Sequence, residues 1–108
     1  MDKLEALYVK FQKLGVGPQT KSLLLLKPRD ALNLICTGVA ASNRLLRVEG
    51  FWLLPSGAIQ PDMGLIYDVD DFNDEKEFLR AVGGLLLGEI TNNGVAFEIG
   101  MSAPDEKS

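Results

Sequence analysis

The chain predicts a small α+β domain: an antiparallel sheet, built from a central meander and a C-terminal hairpin, packed against two or three helices. Three observations lead there. Apolar residues recur at three- and four-residue spacing near the start and again after Pro28, as on one face of a helix. The middle carries a Leu-, Val-, Phe- and Trp-rich run punctuated by Pro55-Ser56-Gly57. Near the end, Asn93-Gly94 is flanked by apolar residues, a strong short-range hairpin signal. A chain of 108 residues fits one domain, because folding at this size buries roughly two-thirds of the unfolded surface. The expected boundaries are 1–102 for the domain and 103–108 for a disordered C-terminal tail, which is small, polar and charged.

The first helix is expected from Lys3 to Leu14, where Leu4, Leu7, Tyr8, Phe11 and Leu14 form one stripe. Gly15 should end it in the left-handed C-cap geometry, and Gly17-Pro18 should keep it from resuming. Ser22 to Leu26, bounded by Thr20 and Pro28, reads as a short buried strand or a single turn, with the strand slightly preferred. Pro28 at a first turn opens a second helix to about Ala41, with Leu32, Ile35, Cys36, Val39 and Ala40 as its face and Asp30 near its positive end.

The meander should run Arg44 to Leu54, Ala58 to Gln60 and Leu65 to Val69, with turns at Pro55-Ser56-Gly57 and Pro61-Asp62-Met63-Gly64. Asp74 and Glu77 then fit a capping box that opens a third helix bearing Phe78, Leu79 and Val82. Two successive glycines inside a helix cost about 2 kcal/mol, so Gly83-Gly84 is expected to stop it. Leu85 to Asn92 and Val95 to Ile99 would form the hairpin, with Leu86, Ile90, Val95, Phe97 and Ile99 on one side.

Composition excludes several classes. The sequence has no histidine, which removes Ser-His and Cys-His nucleophilic pairs and most transition-metal sites. Its single cysteine, Cys36, cannot form an internal disulfide, so a reducing, cytoplasmic location is expected. No cation adjoins Cys36 in sequence, and a buried structural thiol is the reading for it. The opening residues lack the layout of a signal peptide, and the longest apolar stretch, Ser22 to Ala41, is broken by charge and proline, so no membrane span is expected.

Two motifs near the start come close to known chemistry. Gly15 to Ser22 places a glycine, a lysine and a serine as a P-loop would, but Thr20 stands where the loop glycine belongs and the preceding element is a helix. Leu14 to Thr20 also has the look of a helix-turn-helix turn, with Lys10, Lys13, Lys21, Lys27 and Arg29 around it; Phe11 and Lys21 occupy positions where that motif wants a small and an aliphatic residue. No cofactor and no metal are expected.

Charge is where the chain becomes specific. Residues 1–48 hold eight Lys/Arg and three Asp/Glu, and residues 49–108 hold three and twelve, so the halves carry +5 and −9. Either the halves compensate each other in the fold, or an acidic face is offered to a basic partner. The densest acids are Asp68, Asp70, Asp71, Asp74, Glu75 and Glu77. An EF-hand is excluded, since a loop starting at Asp68 puts Phe72 and Asn73 where a ligand and a glycine are required. Helix capping uses one or two acids; the surplus suits a basic partner. Trp52 and Phe51 face opposite sides of a strand, so one of them, with Trp52 the candidate, could anchor a partner.

The function expected is a non-enzymatic protein-binding module, a small acidic inhibitor of the immunity or antitoxin type that covers a basic protein. In composition the chain resembles small acidic toxin-neutralising proteins and small acidic secretion chaperones. Leu4 to Gly15 is loosely similar to the opening helix of the latter; the resemblance implies a protein-binding role and assigns no particular residue. The alternative is a nucleic-acid-binding regulator using the basic N-terminal half, with duplex contact limited by a net charge of −4. A homodimer is open on this reading.

Overall fold

In the computed structural model, which describes residues 2–18 and 23–104, the elements run α1 (Lys3–Phe11), a short 3-10 turn (Gln12–Leu14), α2 (Pro28–Ala40), β1 (Arg44–Leu53), β2 (Ile59–Asp68), a second 3-10 turn (Val69–Asp71), α3 (Glu75–Gly88) and β3 (Val95–Ser102). The three strands form one antiparallel sheet in the order β2-β1-β3. The α+β class therefore holds, while the strand inventory differs from expectation at both ends of the sheet.

Asp2 caps α1, its carboxylate accepting from the Glu5 N–H at 2.8 Å. Gly15 closes the following turn at φ −59°, so it does not take the expected left-handed form; Gly17 does, at φ 74°. The expected strand at Ser22 to Leu26 reduces, among the described residues, to isolated bridge positions at Leu23 and Leu26; Leu26 and Phe97 exchange backbone hydrogen bonds of 2.9 and 2.8 Å, and Ser22 lies outside the described residues.

Helix α2 buries Pro28, Ala31, Leu34, Ile35 and Gly38, a face rotated from the expected one. Small residues explain the rotation. Gly38 lets Met101 approach so closely that an added Cβ would lie 2.6 Å from its sulfur. Cys36 is consequently exposed, contrary to the buried thiol expected. The helix ends with Ser42 at φ 71° and with the Asn43 amide donating to the Gly38 carbonyl at 3.0 Å.

The turn at Pro55-Ser56-Gly57 forms as expected, with Gly57 at φ 88°. The third meander strand does not exist as a separate element, because Ile59–Gln60 and Ile66–Asp68 pair with the same strand, β1. Between the pairs Glu49/Ile66 and Phe51/Pro61, only Gly50 stands opposite 62–65. The expected turn is thus a bulge within β2. Asp62 holds it, accepting from the Gly64 N–H and the Trp52 indole N–H, each at 2.8 Å.

Helix α3 passes straight through Gly83-Gly84, and the C-terminal hairpin is absent. Phe78, Val82 and Leu86 recur every four residues on its buried face, and burying a large apolar side chain is worth about 1.5–3 kcal/mol. Several such side chains on one face together exceed the glycine penalty of about 2 kcal/mol for the pair. Asn92-Asn93-Gly94 instead turns the chain from α3 into β3, with the Asn92 carboxamide accepting from the Gly94 N–H at 2.8 Å.

Two clusters make the core. The larger joins α2 and α3 to the sheet through Leu34, Val48, Phe78, Val82, Leu86, Val95 and Phe97; the smaller sets Leu25 on Phe51 and Ala96, flanked by Val16, Leu23, Leu53 and Ile59. Of the expected tail, Ala103 and Pro104 carry no regular structure, and 105–108 lie outside the described residues. Among the described residues, no helix is long and apolar enough to cross a membrane.

Candidate functional site

The acidic segment follows directly from β2 and leads into α3. Phe72, at its centre, packs between Tyr67 and Phe78, with ring centroids 6.1 and 5.4 Å away. Because Phe78 is fully buried, this aromatic line ties the segment to the main core. The surrounding carboxylates are therefore carried on a short, anchored connection.

Their uses divide sharply. Asp68 accepts from the Asp70 N–H at 2.9 Å and starts the 3-10 turn. Asp74 caps α3, accepting from the Glu77 N–H at 2.8 Å. Glu75 meets the Arg44 guanidinium at 3.3 Å, a pair in which both side chains are about half exposed and which is accordingly worth under about 1 kcal/mol. Asp70, Asp71 and Glu77 are exposed, and among the described residues their carboxylates make no ion pair or hydrogen bond. No described lysine pairs with the segment, so the two oppositely charged halves meet there only in the half-exposed Arg44–Glu75 pair.

Trp52 stands elsewhere. It lies toward the other end of β1, half-buried against the main core, with its indole N–H committed to Asp62. That bond and the Gly64 N–H hold the Asp62 carboxyl below its usual range. Phe51 is buried in the second cluster, so neither aromatic stands fully exposed. The exposed apolar residue of this region is Met63, 84% accessible at the bulge, a position that alternation of the neighbouring residues does not single out.

A further acidic pair escaped the linear reading. Glu49 and Glu98 are directly opposite on β1 and β3, on the sheet face away from α2 and α3. Partial burial, then the neighbouring Glu49, raise the Glu98 carboxyl above its ordinary value, and Arg47 offsets this in part. Register is the missing information, since only strand pairing brings positions 49 and 98 together.

The motifs near the start gain no structural support. Gln12–Leu14 is a 3-10 turn, and the next helix among the described residues begins at Pro28; residues 19–22, which include Thr20, Lys21 and Ser22 of both motifs, lie outside the described residues. A hollow of about 680 Å³ between α1 and the end of α2 is lined by Leu4, Leu7, Lys3 and Lys10, away from the acidic segment. Among the described residues, no group of three potential ligand side chains stands close enough to hold a metal ion. The chain matches no known family model, and neither the curated proteins nor the solved structures contain a significant match to it.

Proposed function

We propose that the protein is a non-enzymatic protein-binding module whose acidic segment, Asp68 to Glu77, receives a basic surface of another protein, in the manner of a small inhibitor of the immunity or antitoxin type. One observation carries this reading: Asp70, Asp71 and Glu77 are beyond what capping uses, stay exposed, and have no internal counter-charge among the described residues. Exposed, same-sign carboxylates on an anchored support raise the rate of encounter with a cationic partner and disfavour acidic ones. Asp68 and Asp74 serve the backbone of the segment, and Glu75 is shared with Arg44.

The test separates charge from fold. Asp70→Asn, Asp71→Asn and Glu77→Gln together remove three charges without touching a cap. Affinity capture from a lysate at low salt should lose the partner with this variant, and high salt should weaken capture by the unaltered protein. Capture that is the same for both proteins at low salt overturns the acidic segment as the interface. Elution of nucleic acid in place of protein would favour the basic N-terminal half instead.

A further inference from the structure

The two outer edges of the sheet differ. The β2 edge is interrupted by the 62–65 bulge and by Pro61, which has no N–H to offer. The β3 edge has no such break. Leu26 occupies it at Phe97 through a reciprocal pair of backbone hydrogen bonds, and because strand residues alternate, Ile99 and Met101 also turn their backbone groups outward. Among the described residues, no strand covers these two. The Tyr8 phenol reaches them: its hydroxyl donates to the Ile99 carbonyl. One side chain thus occupies an acceptor that an added strand would use.

The helix that brings this phenol touches the main core along one side only, through Leu7, Tyr8 and Phe11. None of the residues of α1 is buried, and Val9 is 46% accessible. Burial pushes the phenol up to about 12, so it stays a donor throughout the neutral range. We propose that α1 is a strap that closes the outer edge of β3 through Tyr8, and that its release lets a second copy of the chain pair there, strand against strand. The edge is self-complementary. Antiparallel pairing about a two-fold axis at Gly100 sets Ile99 of each copy opposite Met101 of the other, so that outward-facing groups meet. Glu98 then falls opposite Ser102, and no like charges confront each other.

The experiment is sedimentation of the full-length chain across a concentration series. Tyr8→Phe keeps the ring and removes the hydrogen bond to Ile99; it should dimerise at a concentration about tenfold below that of the unaltered protein. Adding Met101→Pro, which deletes an outward N–H and no bond to β1, should restore the original behaviour. Two results overturn the proposal: Tyr8→Phe keeping the unaltered protein's mass at every concentration, or a dimer that survives Met101→Pro. Should Tyr8→Phe fail to fold, Asp2→Ala decides the matter. It frays α1 from its capped end and touches nothing in β3, so it should shift dimerisation in the same direction by less, and an unchanged mass overturns the strap.

Discussion

One face of the sheet is covered by two helices and the other by an irregular segment, and the cores beneath them differ accordingly. Among the described residues, the cluster that joins α2 and α3 to the sheet holds twelve buried residues, and the one that sets Leu25 on the sheet holds three. A helix presents an apolar stripe several turns long, so two of them can line a sheet from end to end. An extended segment covers only what it crosses. Here it crosses Phe51 and Ala96 and leaves Glu49 and Glu98 beyond it, where the sheet carries acids on both neighbouring strands. The uneven cover teaches that the helix-lined face carries most of the packing, while the other is partly a charged surface.

Removing one aromatic from each face sharpens this contrast. Phe97→Ala should cost about 3–5 kcal/mol, toward the upper end because Phe97 is fully buried. Phe51→Ala should cost less, near the lower end of that range of about 3–5 kcal/mol, because its cluster is small. Chemical denaturation of both variants reads the difference, and equal losses would mean that the segment packs as well as the helices do.

Gly50 tests where the faces come closest. A Cβ there would lie 2.6 Å from the Leu65 Cβ and 3.0 Å from the Phe97 ring, so Gly50→Ala should destabilise by about 1–3 kcal/mol through overpacking. A neutral denaturation midpoint would show that the bulge at 62–65 yields without cost. The smallest effect belongs to the open face. Glu98 titrates above its ordinary 4.5 in the folded state, so the folded protein holds this proton more tightly than the unfolded chain does. The penalty from ionising it is present at neutral pH, fades as pH falls through the raised value, and is gone below about 4.5. Glu98→Gln should therefore be more stable than the unaltered protein at pH 7, with the gap closing on acidification. A gap that stays constant with pH would show that neither burial nor Glu49 penalises the Glu98 charge.

Most of the fold was legible in linear order. The stripe of α1, the proline that opens α2, the turn at Pro55-Ser56-Gly57 and the Asp74 cap of α3 are all local features, and each stands where the residues place it. The candidate site was legible as composition: six acids in ten positions need no tertiary knowledge to be noticed. Their division of labour was not. Whether a carboxylate caps a helix, pairs with Arg44 or stays open depends on what the fold sets within reach of it.

The misplaced elements share a cause. Gly83-Gly84 ends a helix on local propensity, yet Phe78, Val82 and Leu86 keep α3 intact because the sheet gives them something to cover. Asn93-Gly94 signals a turn, which it makes, but which elements the turn joins is decided by what precedes it. Likewise Pro61 to Gly64 does leave the regular strand, while pairing on both sides to β1 makes it a bulge. Local chemistry in this chain specified caps, turns and apolar periodicity, all of which act over a few bonds. Strand register, the rotation of α2 that exposes Cys36, the meeting of Glu49 with Glu98 and the seat of Tyr8 on β3 required the packed molecule, because each depends on residues far apart in the chain being held side by side.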